Sequence, residues 1–340
     1  MKCCPSCFAN PEIRSIISAI SKEEGTCDYC GSLTVSIIEV HEITEQLQPL
    51  IELYEIAPDS EDGLVQVIQK EWGFFNVKSE TAGHLLQDIF SDVPELNPDL
   101  FRLTVVNKAC KQHKAEGLIL KWESFKKEII EKNRFFLENI VDFEELEKCF
   151  RDRSITYRAG ELFYRGRISG KTGFAATEMG KPPLYKASSG RANPEGIPYL
   201  YLSGDLETTL YETRTTYLDY VTVGTFRLLK DITVVKLRDI ILKNPFEIDI
   251  YEKLLYQPFL QHLEVELSKP LRRFDSELDY LPTQYICEFI KHVGFGGVEY
   301  GSAMRKGGIN LAIFDDSLVE CFETKQLEIS NIEISHFANT

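Results

Sequence analysis

Apolar residues recur at every third or fourth position through much of the first 150 residues, which is the spacing of one buried face of an α-helix. Helix-breaking residues interrupt this pattern, notably Asp59, Pro94 and the Asn97-Pro98 pair. Helices are predicted over four segments, at 43–54, 64–68, 82–90 and 116–136. The pattern therefore predicts a helical domain over residues 36–150.

The pattern changes after residue 150, where short apolar or β-branched runs alternate with segments rich in Gly, Ser and Pro. The strands at 220–229 and 232–237 are expected to pair, because only Lys230 and Asp231 separate them. Gly, Ser and Thr residues predict a loop between 160 and 173. The other predicted elements are strands at 154–159, 197–202, 295–300 and 309–314 and a helix at 282–292. The fold class is predicted to be α+β, with a mixed α+β domain after the helical one.

One segment of this second half joins a polar loop, a buried strand and a helix that carries a carboxylate. Pro and Gly residues mark the loop at 190–198, which also carries Arg191. Asp205 is predicted to cap a helix that begins near Leu206, so that Glu212 lies about two turns into the helix. A cation on the loop and an acid on the helix predict a site for an anionic ligand.

The composition limits the class of protein. With 340 residues, 43% of them hydrophobic and 27% charged, the chain is expected to be globular and to form more than one domain. A net charge of -15 argues against binding along a nucleic-acid backbone, which requires a basic surface. No apolar run reaches the length of a membrane span, and the N-terminus lacks the apolar segment of a signal peptide. We therefore expect a cytoplasmic protein without membrane or nucleic-acid partners.

Four of the nine cysteines form two C-x-x-C pairs, Cys4/Cys7 and Cys27/Cys30, with nineteen residues between the pairs. Two such knuckles can supply four thiolates to one tetrahedral zinc, in a closed structural site. Cys3 is an alternative ligand for the same ion. The other four cysteines show no such spacing and are expected in the core.

These cysteine pairs and the helical run that follows them resemble the N-terminal region of HEPN/RES proteins, in which a cysteine knuckle and a helical domain precede a RES domain. Catalytic HEPN ribonucleases carry an Arg followed by a His a few residues later. Here Arg102 and His113 have ten residues between them, and no Arg of the helical region has a His at the required distance. The resemblance therefore implies a scaffold, a regulator or a partner-binding module rather than a ribonuclease.

Motifs spread over residues 151–320 resemble the RES domain, which is found in toxin–antitoxin pairs with Xre-type antitoxins. They are Tyr157-Arg158, Gly190-Arg191-Ala192-Asn193, the Tyr201 strand, Glu212, Tyr300-Gly301-Ser302 and Gly308-Ile309-Asn310-Leu311. The resemblance implies an ADP-ribosyltransferase-like fold and the destruction of NAD by hydrolysis, phosphorolysis or transfer of ADP-ribose. It also implies an Xre-type antitoxin or another inhibitor protein as a partner, and it leaves a homodimer open.

The resemblance and the residue pattern together predict four segments. They are a zinc knuckle at 1–35, a helical HEPN-like domain at 36–150, a RES domain at 151–325 and a C-terminal tail at 326–340. The region at 246–273 departs from the shorter toxins of the family and is expected to shape access to the site or to dock the helical domain.

The chemistry of NAD cleavage gives the principal residues their predicted roles. Breaking the bond between nicotinamide and ribose passes through an oxocarbenium-like state, which a nearby carboxylate stabilises, and Glu212 is the predicted catalytic carboxylate. Arg158 and Arg191 are predicted to hold the pyrophosphate, because a guanidinium group binds phosphate with two parallel hydrogen bonds. Tyr201 is predicted to hold the nicotinamide ring with its aromatic face and its hydroxyl.

Four further residues complete the predicted site. Ser302 can donate a hydrogen bond to an amide or phosphate oxygen and is placed with the catalytic set. Asn193 and Asn310 are predicted to contact NAD or to fix the loops around it. Tyr157 is predicted to bind NAD. The alternatives to Tyr201 as the ring that touches nicotinamide are Tyr157, Tyr199 and Tyr211.

Two other functions are compatible with these residues. An ADP-ribosyltransferase would place ADP-ribose on a protein or nucleic acid, so labelled NAD would leave its label in a macromolecule. A non-catalytic binding module would behave identically after Glu212→Ala in every NAD assay. NAD glycohydrolase or phosphorylase activity is the function that we expect.

Overall fold

A computed structural model of the chain describes residues 1–112, 114–139, 142–269 and 276–333. His113 and residues 334–340 of the predicted tail lie outside the described residues. The chain divides into two compact units, Met1–Ala115 with Ile241–Gln257 and Glu116–Ile240 with Pro258–Thr340. This division into two units does not correspond one to one with the four segments predicted from the sequence, which stay a prediction.

The N-terminal segment of the first unit, Met1–Ala115, combines helices with short strands. The predicted helices at 64–68 and 82–90 are confirmed. The helix predicted at 43–54 is shorter, because α2 ends at Ile51 and Tyr54 begins strand β4. The apolar faces of these helices supply buried residues such as Leu47 and Leu85. Two small sheets accompany them, one with the strand order β1-β3-β2 and one formed by β4 and β5. The elements are β1 Lys2–Cys3, α1 Pro11–Ile20, β2 Glu23–Gly25, β3 Val35–Glu39, α2 Thr44–Ile51, β4 Tyr54–Ile56, α3 Leu64–Trp72, α4 Ser79–Ile89, β5 Val105–Asn107 and α5 Lys108–Lys111.

The rest of the chain forms the mixed α+β part, which confirms the predicted fold class. Its elements are α6 Lys114–Glu131, α7 Phe143–Asp152, β6 Ser154–Tyr157, β7 Leu162–Ser169, β8 Leu200–Ser203, α8 Leu206–Glu212, β9 Tyr220–Leu228, β10 Ile232–Leu237, α9 Ile250–Ser268, α10 Leu281–His292, β11 Gly297–Gly301, β12 Ile309–Ile313 and β13 Val319–Glu328. Strand β13 runs past residue 326, where the tail is predicted to begin. Among the described residues, no helix combines the length and apolarity that a membrane span requires.

One eight-stranded sheet has the order β13-β9-β7-β8-β12-β11-β10-β6, and only β10 and β11 are parallel. The predicted pairing of β9 with β10 is wrong, because β7 and β13 occupy the two edges of β9 while β11 and β6 occupy those of β10. Sequence neighbours are therefore far apart in the sheet. The antiparallel register places Asn310 of β12 opposite both Ser203 of β8 and Tyr300 of β11.

The loop predicted at 160–173 is also wrong, because most of it is strand β7, which pairs with β9 along its whole length. Gly166, one of the residues that suggested a loop, lies inside this strand where α8 packs against it. A Cβ at Gly166 would collide with the side chain of Thr213. The glycine therefore serves a close helix–strand approach rather than a turn.

Candidate active site

Helix α8 brings Glu212 to the end of a capped seven-residue helix. Asp205 is its N-cap, as predicted, and one carboxylate oxygen accepts a hydrogen bond from the Thr208 backbone N–H at 2.8 Å. The other oxygen of Asp205 binds Arg305 at 3.0 Å, and this arginine also binds Glu207 at 2.6 Å. The loop after β11 is thereby attached to the start of α8.

Two residues hold the Glu212 carboxylate through one oxygen. Ser302 Oγ donates to Glu212 Oε1 at 2.5 Å, and Asn310 Nδ2 donates to the same oxygen at 2.7 Å. Ser302 Oγ accepts the backbone N–H groups of Met304 and Arg305, each at 3.1 Å, so its own proton is directed to Glu212. Within the described part of the chain, Glu212 Oε2 accepts no hydrogen bond. The carboxylate is therefore oriented but keeps one oxygen for a ligand.

Glu212 lines a cavity of about 60 Å³ in the second unit. Sites that enclose a whole small molecule usually measure roughly 300–1,000 Å³, so this cavity can enclose only one part of a dinucleotide. Its wall carries two guanidinium groups and one carboxylate, a local excess of positive charge on a chain of net charge -15. The polar side chains of its lining include those of Arg191, Glu212, Arg214, Ser268, Tyr300 and Asn310.

The end of helix α9 positions Arg191 at this wall. Its Nη1 donates to the backbone oxygens of Leu267 at 2.7 Å and Glu266 at 3.3 Å, and its guanidinium lies 5.5 Å from the centre of the Tyr280 ring. The last carbonyls of a helix lack partners within the helix, so a guanidinium group satisfies them well. The insertion region predicted at 246–273 thus reaches the cavity through its helix.

Tyr201 and Asn193 hold the loop that carries Arg191. The Tyr201 hydroxyl donates to Asn193 Oδ1 at 2.7 Å and accepts the backbone N–H of Ala192 at 3.2 Å. Burial raises the pKa of Tyr201, which keeps its hydroxyl a neutral donor. A Cβ at Gly190 would lie 2.7 Å from this hydroxyl, so the loop requires glycine there. Neither Tyr201 nor Asn193 lines the cavity.

Tyr157 and Arg158 lie apart from Glu212, at the end of edge strand β6. Arg158 Nη1 pairs with Asp231 at 2.6 Å, and its side chain is 73% exposed. Tyr157 donates to the buried Glu299 at 2.5 Å, and Glu299 also pairs with Arg238. Strands β10 and β11 separate β6 from β12, and three strand spacings amount to about 14 Å. The structure thus brings Glu212, Arg191, Ser302 and Asn310 together without these two residues.

Three cavity residues have no predicted role in the sequence. Arg214 follows the end of α8, where helical periodicity no longer applies, and Ser268 comes from the far end of α9. Tyr300 is buried, and burial together with the nearby Tyr201 and Glu212 raises its pKa. Tyr300 belongs to a motif that the sequence shows, whereas nothing in the local pattern marks Arg214 or Ser268.

A second candidate site is the cluster of Cys4, Cys7, Cys27 and Cys30, whose sulfurs all lie within 4.8 Å of one another. Cys4 and Cys30 are 3.4 Å apart, as are Cys7 and Cys27, and sulfurs bound to one zinc would be about 3.8 Å apart. Burial raises the pKa of Cys4 to about 11. Burial opposes ionisation of Cys30, but its hydrogen bonds with Ser32 and with neighbouring thiols lower its pKa to about 7. The cluster could hold one metal ion.

Comparisons with known proteins cover both halves of the chain. The family model for the RES domain matches residues 163–330, and the model for HEPN/RES N-terminal domain 1 matches residues 20–142. None of the curated proteins matches the chain. Among solved structures, a chain of the M. tuberculosis MbcT-MbcA toxin-antitoxin complex is 15% identical, with a TM-score of 0.33, covering 55% of this chain and 93% of that one. Tyr157 and Arg158 precede the matched RES range, which includes every cavity residue.

Proposed function

The chain is a RES-domain protein with a HEPN/RES N-terminal domain, and we propose that it cleaves the nicotinamide–ribose bond of NAD. The observation that carries the proposal is the Glu212 carboxylate, anchored through one oxygen by Ser302 and Asn310 at a cavity that also presents Arg191. An acid fixed in this way is prepared for positive charge that develops at a neighbouring carbon.

In the proposed reaction, the bond between ribose C1′ and the nicotinamide nitrogen breaks, and its electron pair leaves with nicotinamide as a neutral ring. The positive charge that remains on the ribose is stabilised by Glu212, whose Oε2 is available to the sugar. Water adds to C1′ and loses one proton, which yields ADP-ribose. Arg191 contacts the pyrophosphate, and Tyr201 and Asn193 position the loop that carries Arg191.

The test uses the purified full chain and follows release of nicotinamide from NAD. Glu212→Gln keeps the size and the acceptor oxygen of the side chain but removes its charge, and we expect the rate to fall by roughly 100-fold or more. Glu207→Gln on the same helix is the matched control and should keep the parent rate, since Glu207 binds Arg305 outside the cavity lining. Equal rates for Glu212→Gln and the parent would remove the basis of the proposal.

The same incubation with NAD labelled in the ADP-ribose part identifies the acceptor. Label in free ADP-ribose indicates hydrolysis, and label in ADP-ribose 1″-phosphate in phosphate buffer indicates phosphorolysis. Label in a protein or nucleic acid indicates the transferase alternative, which keeps Glu212 in its role. Expression of the parent in cells should lower the cellular NAD concentration, and expression of Glu212→Gln should not. We propose a neutralising antitoxin as the protein partner.

We also propose that the four-cysteine cluster holds a structural zinc ion. Metal analysis of the purified chain should give one zinc per chain, and the Cys4→Ser/Cys27→Ser double variant should lose it. Cys3→Ser is the matched control, because Cys3 is buried beside the knuckle but outside the cluster. One zinc per chain in the double variant would contradict the assignment.

A further inference from the structure

Arg214, two residues past the end of helix α8, has a backbone conformation that glycine usually adopts. Arg214 has φ of 51°, in the left-handed region, and its N–H donates to the Tyr211 oxygen at 3.0 Å. Left-handed residues also follow α3 and α10, and there they are glycines, Gly73 and Gly294. A side chain with a Cβ makes this conformation less favourable, so the presence of an arginine at this position points to a use for its side chain.

The position of Arg214 suggests that use, because it lines the same cavity as Glu212 and Arg191. A pyrophosphate carries two negative charges, and Arg191 already directs Nη1 to two backbone oxygens of α9. The other predicted phosphate ligand, Arg158, pairs with Asp231 and does not line the cavity. Arg214 is the second guanidinium group among the described residues that line this cavity.

A nearby hydroxyl supports an anionic ligand at this end of the cavity. Ser268 Oγ is buried and has no hydrogen-bond partner in the described part of the chain. It lies 3.5 Å from the point that a Cβ on Gly301 would occupy, so it faces the backbone of the cavity wall. A buried hydroxyl without a partner is unfavourable unless a ligand or water satisfies it.

We propose that Arg214 is a phosphate-binding residue, which contacts the anionic group of the ligand together with Arg191 and the Ser268 hydroxyl. The inference rests on the proposed function for the identity of the ligand as a dinucleotide. It does not require that the bond is cleaved, so binding can test it separately from turnover.

The experiment measures the Kd of ADP by calorimetry and the Tm of the free protein. Arg214→Gly removes the steric cost of a Cβ in the left-handed backbone conformation, so we expect an unchanged or higher Tm. It also removes the guanidinium group, so ADP should bind about 10- to 100-fold more weakly, as expected for a lost charge-assisted hydrogen bond. Arg214→Lys should keep part of the affinity. Arg214→Asn, which tolerates the same backbone, provides a second variant.

Leu218→Gly is the matched control, because Leu218 is also left-handed, with φ of 67°, but does not line the cavity. It should raise Tm without changing the Kd of ADP. Parent-like ADP affinity in both Arg214→Gly and Arg214→Asn would overturn the inference, as would a parent protein that does not bind ADP. Weakened ADP binding in a protein that leaves NAD intact would support Arg214 and refute the proposed cleavage.

Discussion

Substitution of Tyr201 by Phe separates two roles for this residue, a contact to nicotinamide and a support for the Arg191 loop. The change keeps the ring but removes the hydroxyl, which leaves Asn193 Oδ1 and the Ala192 N–H without this partner. Asn193 is 3% exposed and Ala192 is fully buried, so water does not replace the hydroxyl at low cost.

The expected loss of stability follows from these two contacts. Leaving a buried polar group without a partner costs about 1–3 kcal/mol. Two such groups cost about 2–6 kcal/mol. For a protein unit of roughly 200 residues, each kcal/mol corresponds to about 2–4 °C in Tm, so Tyr201→Phe should lower Tm by about 4–24 °C. Because the loop carries Arg191, the KM for NAD should also rise, while kcat changes little.

The assay combines thermal denaturation with steady-state release of nicotinamide. Tyr199→Phe is the matched control, since the buried Tyr199 hydroxyl has no partner in the described residues and its removal should leave Tm unchanged or higher. If Tyr201→Phe melts with the parent, the hydrogen bonds do not support the loop. If kcat falls while KM and Tm stay constant, Tyr201 acts on the nicotinamide ring instead.

Three other substitutions test the site and its supports. Ser302→Ala removes a hydrogen-bond donor to Glu212, so kcat for nicotinamide release should fall by about 10-fold with a smaller change in KM. An unchanged kcat would show that Asn310 suffices to orient the Glu212 carboxylate. Arg158→Gln should leave NAD kinetics within about 2-fold of the parent, because its partner is Asp231, and a large rise in KM would return Arg158 to the phosphate site. Asp205→Ala should lower the free energy of unfolding by about 1 kcal/mol at pH 7. Burial opposes ionisation of Asp205, but its hydrogen bonds with Thr208 and the charge of Arg305 lower its pKa. The stabilisation therefore exists above about pH 4 and is lost as the pH falls further. Urea denaturation would contradict the assignment if the parent and Asp205→Ala differed in free energy of unfolding by the same amount at pH 3 and pH 7.

Helix positions and the cysteine cluster could be predicted because both depend on short-range patterns. The apolar spacing at 43–54 and 82–90 corresponds to α2 and α4, and Asp205 caps α8 as its side chain predicts. The four cysteines lie in two local knuckles, and their clustering requires only that the knuckles meet. In each case the determining residues are near neighbours in the chain.

Strand pairing could not be predicted in the same way. Strands β9 and β10 are separated by a short connection, yet they do not pair. Strand β9 pairs with β7 and β13, whereas β10 pairs with β11 and β6. Gly166 suggested a loop, whereas it gives α8 room to pack on β7. Both errors arise because long-range partners, which a local pattern does not contain, decide whether a segment is an inner strand.

The amino-acid sequence alone determined the α+β class, the cap and direction of α8, and the motifs that supply Glu212, Arg191, Ser302 and Asn310. Only the tertiary structure decided which of the proposed residues meet. Sheet order separates Tyr157 and Arg158 from the cavity, and helix α9 brings Ser268 to the wall that Glu212 and Arg214 also line. The physical reason is that side chains on different strands and helices approach each other through sheet order and helix packing, which depend on burial across the whole unit rather than on spacing along the chain.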